Sequence, residues 1–325
     1  MTDYLSHFSV MLKESLDSLE LGYRSSGSLV FGDLTFGAGG HTFAISDRIP
    51  GSVIYSTDQD PDALSNGIKN IKSKGKEGSI HLLPMNFQKF PMWCEQNEMN
   101  GKFAGILMDL GVSSHQFDKM ERGFSFRADA PLDMRMNYGD QSIPTAADLL
   151  NSLSEKEIAD IIFKYGEERL SRKIAARIVE LRSTEKIITT GQIEDICFHA
   201  YPVKDRHGKI HPATRTFQAL RIAVNEELTV LENTIPKLLP YLAEGGVLAI
   251  ISFHSLEDRI VKHTFKEIVE KKDFPAMILT KKPLTATEEE LSQNSRSRSA
   301  KLRILQRISQ PGGFDGTKKK RYGKV

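Results

Sequence analysis

The sequence predicts an α/β protein: a Rossmann-like, mostly parallel sheet flanked by helices, split by a mostly helical insertion. Three observations predict it. Apolar runs of strand length alternate with helical patterns over the first 112 residues, and such continuous runs suit strands buried on both faces. A glycine-rich turn, Asp33-Leu34-Thr35-Phe36-Gly37-Ala38-Gly39-Gly40-His41, directly follows the first of these runs. Asp58 ends the second run about 20 residues later, where a carboxylate that grips ribose hydroxyls belongs. Together the turn and Asp58 predict a nucleoside-containing cofactor at the carboxyl ends of the strands. Thr42 stands where the full dinucleotide fingerprint has its third glycine, so a pyrophosphate is not required.

Taken in order, residues 10–21 read as a short helix, 28–34 as the first strand and 44–48 as a helix. Strand 52–57 precedes a helix at 61–74, with Pro61 suited to its first turn. Strand 79–84 leads to Asn86 and Phe87, and strand 103–110 ends in Met108-Asp109-Leu110-Gly111. From 113 to 211 no buried strand is evident: 116–138 is loop-like, and 154–182 is helical, opened by a Ser154-x-x-Glu157 capping box. The β-α pattern resumes at 212 with one long helix, in which Phe217, Leu220, Val224, Leu228, Leu231 and Ile235 share a face. Strand 247–252 follows, then a helix capped by Ser255 and Asp258, and a closing strand pair at 277–280 and 300–308. The expected division is therefore residues 1–112 and 212–325 for the sheet domain and 113–211 for the insertion. The insertion starts where an open sheet places its ligand crevice, so it reads as a lid or substrate-recognition module.

Composition narrows the class. Lys and Arg total 44 against 42 Asp and Glu, a net charge of +2, so no global field marks a nucleic-acid binder. Basic charge is local: Arg296, Arg298, Lys301 and Arg303, then Lys318 to Arg321 with Lys324 in the tail. Two cysteines, Cys94 and Cys197, are too few for a disulfide framework or thiolate metal site. His207 and His211 are four apart, but Gly208 and Pro212 argue against a helix carrying both as metal ligands. No membrane span or signal-peptide core is visible, so the expectation is a soluble, cytoplasmic protein.

The ordered motifs are more specific than the glycine turn. The chain resembles the bacterial ribosomal RNA small subunit methyltransferase H family nearly end to end. The resemblance rests on Thr35 to His41, Asp58-Gln59-Asp60-Pro61, Asp109 to Ser114, Glu121 to Phe126, Pro131 to Met136, His211 to Gln218 and Ser252 to Arg259. Leu34 and His115 depart from the family pattern, which has Gly and Pro there. The resemblance implies a class I S-adenosylmethionine-dependent methyltransferase sheet acting on N4 of one cytidine in the decoding region of 16S ribosomal RNA, within the small ribosomal subunit.

It also implies site residues. Gly39, Gly40 and His41 would line the methionine end of S-adenosylmethionine, Asp58 would take both ribose hydroxyls, and Phe87 would stack on adenine. Asp109 and Gln116 are further cofactor candidates. Asp109 ends an apolar strand, where a carboxylate is either in the crevice or buried at a cost. It is also the candidate acceptor for an N–H of the target amine, whose lone pair is delocalised into the ring. His254 competes for that role, with a turn contact as its plainer alternative. Arg122, Arg127 and Arg135, interleaved with Phe124 and Phe126, suit RNA contact, or else a structured loop held by Asp129 and Asp133. Gln218, Arg221 and Asn225 form a polar stripe facing crevice or solvent. Because the amine is used in Watson–Crick pairing, the cytosine must be unpaired or extruded. Two other classes share some of these features. A nicotinamide dehydrogenase would use the glycine turn and Asp58, and a non-catalytic RNA-binding protein would use the basic segments.

Overall fold

The computed structural model describes residues 9–271 and 274–309. The basic tail 318–324 lies outside them. The first half of the sheet domain runs α1 (Leu12–Ser26), β1 (Val30–Asp33), α2 (Gly40–Arg48), β2 (Val53–Asp58), α3 (Pro61–Ser73), β3 (Ile80–Pro84), α4 (Phe90–Gln96) and β4 (Phe103–Asp109). The insertion holds α5 (Ser114–Asp118), α6 (Ala146–Ser152), α7 (Glu155–Gly166), α8 (Ser171–Arg182) and α9 (Thr190–Ala200). Then come α10 (Thr214–Asn225), α11 (Glu227–Leu238), β5 (Leu242–Ser252), α12 (Ser255–Lys271), β6 (Ala276–Ile278), β7 (Leu284–Thr285), α13 (Glu288–Gln293) and β8 (Lys301–Arg307).

The strands form one sheet in the order β3-β2-β1-β4-β5-β8-β6, with β7 pairing on β8. The first five are parallel, and β8 enters antiparallel to β5. Alternation along β5 explains its unbroken apolar run. Leu248 and Ile250 pack with α11 and α12 on one face, while Val247, Ala249 and Ile251 pack with α1 and α2 on the other. Burial on both faces leaves no polar position in 247–251.

The insertion has its own core. Ile158, Ile162, Ile174, Ile178, Ile193 and Ile196 converge there from α7, α8 and α9. The expected Ser154–Glu157 capping box opens α7. The expected helix across 154–182 is two helices, because Glu167 adopts the left-handed conformation (φ 52°) and closes α7. The long helix expected after residue 212 is likewise broken, at Glu226 (φ 50°). Phe217, Leu220 and Val224 of α10 join the insertion core, whereas Leu231 and Ile235 of α11 return to the sheet. The periodic stripe is continuous in sequence but serves two cores.

Candidate functional site

Three strands end in carboxylates: Asp33 on β1, Asp58 on β2 and Asp109 on β4. A cavity of about 500 Å³ lies over these carboxyl ends, bordered by the glycine turn, the 109–116 loop and Asn225. Asp33 is fully buried beneath it; its carboxylate accepts from the Thr42 hydroxyl (2.6 Å), which also meets Ser56 Oγ (2.8 Å). Thr42, the residue that breaks the glycine fingerprint, thus holds β1, β2 and α2 together.

Asp58 faces the cavity and is already positioned. Its Oδ2 accepts the Gly37 N–H (2.7 Å) and its Oδ1 the Asp60 N–H (2.9 Å). Burial pushes its carboxyl up to about 6, against the pull of those N–H donors. Each oxygen keeps a further lone pair for a hydroxyl donor. Phe87 follows β3 in a short 3-10 turn, packs on the sheet core and lines the same cavity.

Asp109 is anchored by its backbone, whose N–H donates to Thr35 Oγ1 (2.7 Å). Its Oδ1 is buried and has no hydrogen-bond partner. Burial, then the charges of Asp33, Glu257 and Glu290, hold its carboxyl well above the usual range. His41, also buried, approaches Val10 O through Nε2 (3.2 Å) and Asp109 Oδ2 through Nδ1 (3.7 Å). Burial lowers its basicity, with Asp33 and Val10 opposing.

Gly40 and His41 line the cavity; Gly39 does not. Gly39 sits at φ 84°, and a Cβ there would come within 2.7 Å of the Phe36 and Phe43 rings, so it serves the packing of the turn. Gln116 borders the cavity, but both ends of its amide are engaged. Its Nε2 donates to Asp60 Oδ2 (2.7 Å), and its Oε1 accepts the Ser113 N–H (3.0 Å) in a capping box at α5.

The arginine loop is largely internal, which corrects the RNA reading for two of its three arginines. Arg122 is completely buried; its Nη1 reaches Asp60 (2.9 Å) and Asp62 (3.3 Å), and its Nη2 donates to the carbonyls of Arg135 and Met136. Arg135 is buried against Asp133 through two bonds (2.9 and 2.6 Å), and Asp129 accepts the Gly191 N–H. Phe124 belongs to the insertion core and Phe126 packs between His211 and Phe217, so of the loop's three arginines and two phenylalanines Arg127 alone is exposed.

The polar stripe of α10 is also committed inward. Gln218 donates to Tyr165 O, and Arg221 pairs with Glu227 (2.7 and 2.9 Å). Asn225, on the cavity wall, accepts from Met136 N and donates to Met134 O. His254 takes its turn contact: Nε2 lies 3.2 Å from Glu257 Oε1. The expected Ser255–Asp258 cap is replaced by Glu257, whose carboxylate accepts the N–H groups of Phe253 and His254, while Asp258 pairs with Lys301 and Arg303 of β8. Burial raises the Glu257 carboxyl, but His254, Arg221 and the Phe253 N–H outweigh it and hold the group below its usual range.

Sequence reasoning missed Asp60, which caps α3 and gathers Gln116 and Arg122, and Glu257 on the cavity wall. Asp60-Pro61 carried a helix-start signal; nothing local marked Glu257. It also missed 293–296, which borders the cavity although it is distant in sequence. No metal-ligating cluster occurs among the described residues, and no described helix is long and apolar enough to cross a membrane.

The five parallel strands, the antiparallel β8 inserted beside β5, and a cavity over three strand-end carboxylates define a class I methyltransferase. The MraW methylase family model matches residues 4–308, and the chain belongs to that family. Its cofactor is S-adenosylmethionine. Among relatives, the "Ribosomal RNA small subunit methyltransferase H" of Nostoc punctiforme is 48% identical over 305 residues, covering 93% of this chain and 94% of that protein. The protein of the same name from Heliobacterium mobile is 44% identical over 316 residues, covering 93% and 99%. A solved rRNA methylase from Streptococcus thermophilus superposes at a TM-score of 0.41 and 11% identity, covering 93% and 99% of the two chains.

Proposed function

We propose that this enzyme methylates the N4 amine of one cytidine in the decoding region of 16S ribosomal RNA, by direct in-line transfer, in the cytoplasm on the small ribosomal subunit. The observation that carries the reading is the unpartnered Oδ1 of Asp109 on the cavity wall. A buried carboxylate with acidic neighbours and no cation of its own suits a positively charged ligand. S-adenosylmethionine supplies, when bound, an activated methyl group on a cationic sulfonium beside an ammonium.

The chain's residues fit that group. Asp58 presents two fixed carboxylate oxygens to ribose hydroxyls, and charge-assisted bonds of this kind are the strong ones. Phe87 offers a ring face for adenine, and Gly40 leaves room for close backbone approach. Asp109 takes the cationic end. Its second task, accepting an N–H of the target amine, stays with the same carboxylate because His254 lies against Glu257 and does not line the cavity. Gln116 acts through Asp60 to hold the Asp58 loop.

The test is methyl transfer from labelled S-adenosylmethionine to small subunits from a strain lacking this gene, read by nucleoside mass spectrometry. One new N4-methylated cytidine in the decoding region is expected. Methylation at another atom, or none on subunits or their free RNA, defeats the reading.

A further inference from the structure

We infer that a strip running from the cavity edge to the exposed loop 201–211 binds single-stranded ribosomal RNA flanking the target cytidine. The inference rests on the functional reading above and extends it to a surface. The strip begins at Arg296, which borders the cavity and lies 5.9 Å from the centre of the Phe117 ring. Arg127, exposed, lies 5.8 Å from the same ring. Its neighbour Phe126 stacks on His211 at 4.8 Å, and His211 lies parallel to Phe198 at 6.2 Å. Arg206 sits 5.1 Å over Phe198.

Beyond this ladder of rings and cations lies the loop itself. Lys204 and Lys209 are exposed and make no ion pair among the described residues, and Val203 and Ile210 beside them are 74% and 58% exposed. Val203 and Ile210 set apolar contact area beside these free cations. Acidic groups do face the strip: Glu194 is 3.2 Å from His211, Asp118 is 3.3 Å from Arg296, and Asp205 lies in the loop. They leave Arg127, Lys204, Arg206 and Lys209 unneutralised. Cations interleaved with ring faces match a strand whose phosphates and unstacked bases are both accessible. A target in a single-stranded loop has such a strand on either side of it.

The test compares two triple variants of the full chain, Arg127→Ala/Lys204→Ala/Lys209→Ala and Lys262→Ala/Lys266→Ala/Lys281→Ala. The second removes equal charge from a groove between α12 and β6 that shares no residue with the strip. Binding of a labelled single-stranded oligoribonucleotide carrying the target cytidine is measured across salt concentrations. Each lost phosphate contact removes about 0.7 from the log–log salt slope, so the first variant flattens it by about 2 and weakens binding at least tenfold. The second variant matches the wild type, and both keep wild-type affinity for S-adenosylmethionine. An unchanged slope in the first variant, or equal loss in both, overturns the strip. Loss on intact subunits but not on the oligoribonucleotide assigns the surface to a ribosomal protein and also overturns it. Because the readout is binding, wild-type protein that holds the RNA but transfers no methyl group defeats the functional reading alone.

Discussion

The imidazole Nδ1 of His41 lies 3.7 Å from Asp109 Oδ2, and the two do not form an ion pair. His41 Nε2 sits against the Val10 carbonyl, so that nitrogen carries the ring's proton. Burial keeps the ring neutral, which leaves the Nδ1 lone pair facing the carboxyl. Two acceptors then oppose each other, and Asp33, Glu257 and Glu290 add negative charge. These neighbours raise the Asp109 carboxyl in the cofactor-free protein, and a bound cation would draw it back down.

Replacing Asp109 by Asn tests this directly. The variant keeps the shape and removes the charge. S-adenosylmethionine binding should weaken at least tenfold, on the order of the 1.5–3 kcal/mol of a hydrogen bond to a charged group. The cofactor-free protein should melt no lower than the wild type. A carboxyl raised by folding is a liability as pH rises: the native state holds its proton where the unfolded chain has lost it, so stability falls from the ordinary carboxylate range up through the raised pKa. Asp109→Asn should flatten that fall. Titration calorimetry showing unchanged affinity would remove Asp109 from the site.

Asp58 gives a second pH signature. Its carboxyl is pushed from 3.8 up to about 6, so below pH 6 the native state is mostly protonated there. On the proposed assignment, only the ionised form accepts from both ribose hydroxyls. Cofactor affinity should therefore rise about tenfold per pH unit up to about 6 and then level off. Asp58→Ala should weaken binding at least tenfold at pH 7.5, roughly 1.4 kcal/mol, and abolish the Asp58 part of the pH dependence. A pH-independent wild-type dissociation constant between 5 and 7 contradicts the assignment.

The same carboxylates show what the sequence could carry. Asp58 and Asp109 were legible because each ends a strand buried on both faces, where a charge stands out. Helix starts at Pro61 and Glu155 were legible because caps are local. Arg122 was not: its partners Asp60 and Asp62 lie about 60 residues away, and an arginine beside aromatics reads the same inside or outside. The break at Glu226 was hidden because the apolar period runs through it unchanged. Long-range pairing and changes of core leave no periodic trace.

Arg122→Met should cost about 3–5 kcal/mol of stability, because Asp60 and Asp62 would remain as charges without their buried partner. Urea unfolding reads the cost. Adding Asp60→Asn to the variant should recover part of it, since the orphaned charge is then gone. A loss below about 1 kcal/mol would show that the guanidinium is not what holds the loop.

Two adjacent glycines in the turn should respond differently to alanine. At Gly39, φ is 84° and the new methyl would meet the Phe36 and Phe43 rings at 2.7 Å, neither of which can yield without disturbing the sheet core. Left-handed backbone alone costs roughly 1–2 kcal/mol for a non-glycine residue, and the clash adds to it. At Gly40 the obstacle is Ser9 Oγ at 1.9 Å, the tip of a side chain that can rotate, and the residue is already helical. Alanine gains about 0.5–1 kcal/mol over glycine in a helix, so Gly40→Ala should change stability by less than about 1 kcal/mol. Its effect should fall on the cavity, which Gly40 and Ser9 both line, as weaker cofactor binding. Thermal melts and cofactor titrations of both variants separate the roles. Gly39→Ala should lose mainly stability and Gly40→Ala mainly affinity, and the reverse pattern would mean that Gly39, not Gly40, gives the cofactor its close approach to the backbone.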